Sequence, residues 1–132
     1  MKIGDKNESY DVVNERNVAS AAGSGLLPVY STPFMISLME NASSDYLAKE
    51  LPEGKGSVGI HIEVDHISAS PIGMKIKAVT EVTGISENGK TVEFKVEAYD
   101  EAGLIGKGKH TRAIIDNERF MKKCQSKLEN RQ

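Results

Sequence analysis

The stretch Ser31–Leu47, STPFMISLMENASSDYL, is typical of one helix that begins at a Thr-Pro pair. Pro33 suits the first turn, where its missing N–H has no partner to lose, and we expect Thr32 to be the N-cap residue. The apolar residues that follow are spaced to form one broad face, namely Phe34, Met35, Leu38, Met39, Ala42 and Tyr46. The sequence therefore predicts a long, largely apolar helix around which the chain is organised.

Glu40 lies on the far side of this helix from the apolar face, beside Ile36, Ser43 and Leu47. A helix that is apolar on two sides needs cover on both, and one small sheet covers only one. Carboxylates are rarely fully buried without a partner. Glu40 is therefore either paired at an interface or poised for catalysis, and the sequence leaves both possibilities open.

Composition excludes several classes of protein. The 132 residues, 39% hydrophobic and 27% charged, fit one globular domain over residues 1–132. A net charge of −2 with interspersed signs predicts no nucleic-acid or membrane partner. The single cysteine, Cys124, excludes an internal disulfide framework, and the spacing of ligand-type residues predicts no metal site. With no long apolar run and no signal-peptide pattern, we expect a cytoplasmic protein.

Strand patterns occupy most of the remaining chain. We expect an extended segment near Tyr10–Val13 and four strands after the helix, at Ser57–His66, Met74–Ile85, Thr91–Tyr99 and Leu104–Ile115. In the first of the four, clean alternation predicts one face made of Val58, Ile60, Ile62, Val64 and His66, with Gly59 and His61 on the other.

Turns and the C-terminal segment complete the pattern. Asn88-Gly89 indicates a hairpin with a type I′ turn, because these residues readily adopt positive φ. The segment Asn117–Leu128 predicts a polar helix with one stripe of apolar residues, Phe120, Met121, Cys124 and Leu128.

These elements predict an α+β fold. Hairpin connections imply an antiparallel sheet, and the one long apolar helix is the layer available to cover it. An antiparallel sheet wrapped around a central helix, here with a C-terminal helix added, is the hotdog fold. The second apolar face of the helix predicts a homodimer, possibly a higher oligomer.

The histidines and one loop are the other candidates for function. His66 ends a predicted strand, next to the interruption of the strand pattern at Ser68–Gly73. It could act as a base there, although a structural histidine is the commoner outcome. His61 and His110 fit surface strand positions, and His110 lies close to Arg112. The segment Ala19–Tyr30 fits a lid about as well as a plain connector.

Several spaced motifs resemble one known family. They are Thr32–Glu40 (TPFMISLME), the Gly-Ser-Val-Gly run ending at Gly59, Val64-Asp-His66 followed by Ala69–Gly73, and Ile105–Arg112 (IGKGKHTR). In this order and over about Gly25–Ile115, they resemble the fluoroacetyl-CoA thioesterase-like family of hotdog proteins. The resemblance implies an acyl-CoA thioesterase that needs no cofactor beyond the coenzyme A of its substrate.

The resemblance also implies roles for particular residues. Thr32, Glu40 and His66 match the family's catalytic set, and the backbone N–H of Gly59 matches the group near the thioester carbonyl. Glu40 could attack the carbonyl to give an anhydride or act as a base on water, and Thr32 could orient it or His66. If the protein is a dimer, these groups meet at the subunit interface, and which chain supplies which group stays open. The remaining expected substrate-binding residues are Leu26, Phe34, Arg112 and His110, the last two toward the coenzyme A portion.

One departure from the family concerns the lid. Its best-known members have phenylalanines there, whereas Ala21–Tyr30 offers Leu26, Leu27, Val29 and Tyr30. We therefore expect a small or medium acyl group without selectivity for a fluorinated one. Two other functions stay open: a hotdog hydratase or dehydratase, and a non-catalytic acyl-CoA-binding protein.

Overall fold

The computed structural model describes residues 1–131 and contains the predicted strands and helices. In chain order they are β1 Lys6–Val12, α1 Ala19–Ala22, α2 Thr32–Glu50, β2 Lys55–His66, β3 Lys75–Ile85, β4 Thr91–Asp100, β5 Gly103–Asp116 and α3 Asn117–Gln125. The short helix α1 lies inside the segment that the sequence predicted as a loop. The predicted boundaries of the long helix and of the strands are right to within a few residues.

The five strands form one antiparallel sheet in the order β1-β3-β4-β5-β2. Strands β3, β4 and β5 are joined by hairpins, whereas β2 pairs with β5 at the far edge of the sheet. The antiparallel sheet predicted from the hairpin signals is thus confirmed. Strand β2 is an edge strand of this chain, because β5 is its only neighbour in the strand order of the described residues.

The β3–β4 hairpin forms where Asn88-Gly89 predicts it, but the turn type differs. Gly89 has φ of 69°, whereas no non-glycine residue in the described chain has positive φ, so the type I′ turn is excluded. The N–H of Gly89 donates to the carbonyl of Ser86 at 2.9 Å. The turn therefore closes over Ser86–Gly89, with glycine alone in the left-handed conformation, as in the common longer hairpin loops.

Helix α2 packs into the concave face of the curled sheet. Met35, Met39 and Leu47 are fully buried in the core that the helix shares with the sheet. Ser43 is also fully buried, and its hydroxyl bonds to that of Thr80 on β3 at 2.7 Å. A curled sheet covers more of a helix than a flat one, so the same chain already covers two positions of the predicted second face.

The prediction of a second uncovered apolar face is therefore wrong for Ser43 and Leu47. Of the four positions on that face, only Ile36 and Glu40 remain half-buried in the single chain. Phe34, predicted to lie on the main apolar face, is 40% exposed. The positions of the two predicted apolar faces that stay uncovered thus lie in the N-terminal half of the helix.

Strand β2 carries a bulge that changes which residues face the helix. Between Gly59 and His61 the pairing advances two residues on β2 but only one on β5, so Ile60 is an extra residue. One extra residue reverses the alternation of side chains. Gly59 consequently lies on the same face of the sheet as His66, and Ile60 is 56% exposed. The clean alternation predicted for this strand is wrong at this point.

Helix α3 follows β5 directly and is capped by Asp116, whose carboxylate accepts from the N–H of Arg119 at 3.0 Å. Its predicted apolar stripe is exposed in the single chain, at Phe120, Met121, Cys124 and Leu128. Among residues 1–131 no helix has the length and apolar character needed to cross a membrane.

Candidate active site

The start of helix α2 leaves the hydroxyl of Thr32 free for another partner. Ser31 is the N-cap residue, and its hydroxyl accepts from the N–H of Phe34 at 3.2 Å, so the prediction of Thr32 as N-cap is wrong. Thr32 is the first residue of the helix, followed by Pro33. Its Oγ1 lies 2.8 Å from Nδ1 of His66, the last residue of β2. The fold thus joins a hydroxyl and an imidazole that are 34 residues apart in the chain.

The other ring nitrogen of His66 has no hydrogen-bond partner among residues 1–131. Its Nε2 is shielded from solvent and makes no hydrogen bond within the described part of the chain. Burial lowers the pKa of His66 below its usual 6.5, so the ring is neutral near pH 7. Buried polar atoms are normally hydrogen-bonded, and an exception in a cleft suggests a missing water, ligand or partner group.

A cleft of about 290 Å³ opens beside this pair. Its lining comes from the segment before α2 and from the end of β2, with the residues Ala19, Ser24, Val29, Tyr30, Thr32, His66, Ile67, Ser68 and Ala69. Most of these side chains are small. The cleft is small, and Thr32 and His66 themselves form part of its wall.

The segment Ala19–Tyr30 lies over this cleft with a fixed base and an exposed tip. At the base, Val18 pairs with Tyr30, whose hydroxyl donates to Asp11 at 2.9 Å. At the tip, Leu26 and Leu27 are 93% and 66% exposed. The placement of Ala19, Ser24 and Val29 in the cleft wall favours the lid interpretation over the plain connector. Leu26 and Phe34 are outside that wall in this chain.

Glu40 lies in a different place, beside Gly59, His110 and Arg112. A Cβ built on Gly59 would come within 3.0 Å of the His110 ring, 3.1 Å of Glu40 Oε2 and 3.4 Å of Arg112 Nη1. With glycine at position 59 these three groups fit together, whereas a Cβ there would require at least one of them to shift. With Ser57, which binds Arg112, they form what we call the Arg112 cluster.

Arg112 and His110 are the buried members of the Arg112 cluster, and both are closely hydrogen-bonded. Arg112 donates from Nε to Ser57 Oγ at 2.9 Å, from Nη2 to the Ser57 carbonyl at 3.1 Å and from Nη1 to His110 Nε2 at 3.1 Å. His110 is 1% exposed, so its interpretation as a surface residue is wrong. The sequence did not single out Ser57, because no local signal marks a polar residue whose partner comes from β5.

His110 and Arg112 do not face solvent in this chain. Both nitrogens of the His110 ring are engaged, Nδ1 with the carbonyl of His61 at 2.8 Å and Nε2 with Arg112. Arg112 is 7% exposed. The side chain of His61 itself is exposed, as expected.

The catalytic set proposed from the sequence thus falls into two groups within one chain. Thr32 and Glu40 are eight residues apart on α2, about 12 Å along the helix axis. Gly59 and His66 lie opposite β5 residues six positions apart, about 20 Å along the strand. Thr32 is with His66 and Glu40 is with Gly59, on the same concave face.

Two further features lie outside these groups. A larger groove on the sheet, away from the Thr32–His66 pair, is lined by residues of β2, β4 and β5 with Thr83 of β3, and both acidic and basic side chains are among them. No group of three potential metal-ligating side chains occurs among residues 1–131.

Fold and site together define the class of protein. A five-stranded antiparallel sheet curled around a central helix is a hotdog fold, and here a hydroxyl–imidazole pair lies at the helix start. A hot-dog-like protein from Thermanaerovibrio acidaminovorans superposes with a TM-score of 0.85 at 21% identity, covering 95% of this chain and 91% of that one. The predicted fold class is confirmed.

The chain belongs to the fluoroacetyl-CoA-specific thioesterase family, whose model matches residues 13–118. A fluoroacetyl-CoA thioesterase from Streptantibioticus cattleyicolor is 36% identical over 99 residues, which are 75% of this chain and 70% of that protein. The solved structure of the fluoroacetyl-CoA thioesterase FlK superposes with a TM-score of 0.90 at 30% identity, covering 96% of this chain and 97% of that one. The predicted family is confirmed, and membership identifies the protein as a thioester hydrolase.

Proposed function

We propose that the protein hydrolyses a small or medium acyl-CoA with Thr32, Glu40 and His66 as catalytic residues, in a site formed by two copies of the chain. The observation that carries this proposal is the 2.8 Å contact between Thr32 Oγ1 and His66 Nδ1 at a cleft, with Nε2 of His66 unpartnered. A neutral imidazole with a free nitrogen can accept a proton, and hydrolysis requires that a water molecule lose one.

The chemistry assigned to each group follows from its surroundings. His66 takes the proton from the attacking water and returns it to the departing sulfur, so that the products are a carboxylic acid and free coenzyme A. The backbone N–H of Gly59 stabilises the oxyanion that forms on the thioester carbonyl. Glu40 acts beside it, either by attacking the carbonyl or by assisting the water. Thr32 holds the imidazole in position through its hydroxyl.

A second copy of the chain completes the site. Because Thr32 and His66 lie more than about 10 Å from Glu40 and Gly59 along their elements, one chain alone does not assemble the set. In a two-fold dimer, each pair of one protomer can face the other pair of its partner, which gives two identical composite sites. The half-buried Ile36 and Glu40 and the exposed Phe34 would then be covered at the interface.

The small cleft supports a short acyl group. About 290 Å³ lies at the lower limit of pockets that hold small molecules. Leu26 and Leu27, exposed at the tip of the lid, are the apolar groups available to close over the acyl chain. Coenzyme A enters only as part of the substrate, and the other reactant is water.

Hybrid dimers test whether Glu40 and His66 act together across the interface. Chains carrying Glu40→Gln and chains carrying His66→Ala are co-expressed with two different tags, and the hybrid is isolated through both. We expect each variant alone to lose hydrolysis by about 10²-fold or more, and the hybrid to recover about half of the wild-type rate, since one of its two sites is intact. The assay is the release of free thiol from a panel of acyl-CoA substrates.

Three results would contradict the proposal. A hybrid as inactive as the single variants would exclude composite sites that combine Glu40 and His66 from different chains. Unchanged rates of hydrolysis in both Glu40→Gln and His66→Ala would contradict the assignment of the catalytic residues. Binding of acyl-CoA by the wild-type protein without release of thiol would favour a non-catalytic binding protein.

A further inference from the structure

The His110–Arg112 hydrogen bond has no part in the proposed chemistry, although both side chains are buried beside Glu40. Burying two polar side chains in an apolar core is unfavourable unless every donor and acceptor is satisfied. His110 stacks on Phe94 with ring centroids 6.4 Å apart, so its ring is held by packing as well as by hydrogen bonds. A hydrophobic side chain would fill the same space without this cost, so packing alone does not account for the His110–Arg112 hydrogen bond.

The tautomer of His110 is fixed by its neighbours. Its Nδ1 lies 2.8 Å from the carbonyl oxygen of His61, which can only accept, so Nδ1 carries the proton. Nε2 therefore presents a lone pair to Nη1 of Arg112, 3.1 Å away. A protonated ring would direct an N–H at the guanidinium instead. Burial is the main cause that lowers the pKa of His110, and the charge of Arg112 acts in the same direction.

The guanidinium is in turn held in one orientation. Ser57 accepts from Nε and Nη2, and His110 accepts from Nη1, so all three nitrogens are engaged. A planar guanidinium bound at three nitrogens cannot turn without breaking hydrogen bonds. Its Nη1 stays 3.4 Å from the position of a Cβ on Gly59, and Glu40 Oε2 stays 3.1 Å from the same position.

We propose that His110 is a positioning residue, which holds Arg112 by accepting from Nη1 and so keeps the guanidinium from closing onto Glu40. This inference rests on the proposed function, because it gives Glu40 a catalytic task. When the acceptor is removed, only the two hydrogen bonds to Ser57 hold the guanidinium, and a shift that bends these bonds lets Nη1 pair with the nearby carboxylate. A carboxylate paired with a guanidinium is a weaker base and nucleophile. The loss therefore falls on kcat rather than on substrate binding.

Two variants of His110 separate positioning from packing. His110→Leu fills much of the space without an acceptor, whereas His110→Gln retains a side-chain oxygen that can accept from Arg112. We expect His110→Leu to lower kcat about tenfold or more with KM changed less than about twofold, and His110→Gln to keep most of the wild-type kcat. Thermal unfolding curves and size-exclusion chromatography first check that each variant is folded and has the oligomeric state of the wild type. Kinetics are then measured on the whole chain with acetyl-CoA as the probe.

A double variant tests whether His110 acts through Arg112. If it does, His110→Leu combined with Arg112→Met has the same kcat as Arg112→Met alone, because the two changes remove one interaction. Multiplicative losses in the double variant, or equal activity of His110→Leu and the wild type, would overturn the inference. If His110→Leu fails to fold, His110→Gln decides, and a tenfold loss of kcat in that folded variant counts against it.

The test of the positioning role of His110 can be distinguished from the test of the proposed function. Glu40→Gln and His66→Ala are measured in parallel. Loss of hydrolysis in these two variants with normal kcat in His110→Leu would overturn the positioning role alone. Normal hydrolysis in all of them would overturn the catalytic assignment as well.

Discussion

The Thr32–His66 pair and the Arg112 cluster lie on the same concave face of the sheet but differ in how their hydrogen bonds are completed. In the cluster, the nitrogens of Arg112 and His110 all have partners. In the pair, one ring nitrogen of His66 is buried and has none among the described residues. A complete network fixes geometry, whereas an incomplete one leaves a position for a reacting molecule. The two regions thus differ in one respect: the hydrogen bonds of Arg112 and His110 hold the guanidinium beside Glu40 in one geometry, whereas His66 keeps one ring nitrogen available to a reacting molecule.

The largest expected effect concerns the Thr32–His66 pair, whose hydrogen bonds are incomplete. His66→Ala removes the proposed proton acceptor and should lower kcat/KM by about 10²–10⁴-fold, the usual contribution of a general base. His61→Ala is the matched control, since the exposed side chain of His61 lies on the same strand. It should stay within about twofold of the wild type. Rates of free-thiol release measure both, and equal losses in the two variants would refute the distinction.

The next effect tests how closely the cluster is packed. A methyl group in Gly59→Ala would lie 3.0 Å from the His110 ring and 3.1 Å from Glu40 Oε2, so a neighbour must move. We expect kcat to fall about tenfold and the free energy of unfolding to fall by about 1–3 kcal/mol. Kinetics and urea unfolding measure these changes.

Gly84→Ala is the control for this substitution. Its new Cβ would meet the Oε2 of Glu93 at 2.7 Å, and the free end of that side chain can move away. Activity should stay near wild type. A Gly59→Ala protein with normal kcat would show that the cluster tolerates displacement. It would contradict the view that the cluster must keep one fixed geometry.

The smallest expected effect concerns pH and touches both regions. Burial lowers the pKa of His66 and of His110 in the folded protein below the unfolded value of about 6.5. The unfolded chain then binds more protons below this pH, so the free energy of unfolding is at its full value above it and decreases as the pH falls through the folded pKa values. Urea unfolding at about pH 7 and about pH 5 measures the decrease. Stability that rises on acidification would contradict it.

Local patterns predicted the elements because each carries its own signal. Thr32-Pro33 marked the start of the long helix, and Asn88-Gly89 marked a hairpin that forms with a different turn. The cap was misassigned by one residue, since Ser31 and Thr32 are both good caps and the choice depends on what else binds their hydroxyls. Ser31 caps the helix, and the hydroxyl of Thr32 contacts His66.

The sequence named candidate site residues, but it did not show how they are arranged. The family motifs singled out Thr32, Glu40 and His66, whereas the geometry joins only two of these within a chain. The alternation of β2 placed Gly59 on the wrong face because the bulge at Ile60 shows no signal in the sequence. Bulges depend on how two strands pair, and pairing is a property of the assembled sheet.

By itself the sequence determined the strands, the central helix, the hotdog arrangement and the family, because these follow from periodicity, turn residues and motifs that are local in the chain. Only the tertiary structure decided that His110 and Arg112 are buried, that Ser57 holds the guanidinium, and that Thr32 bonds to His66. These facts depend on contacts between residues tens of positions apart. No local pattern encodes them, since each needs the register and curvature of the complete sheet.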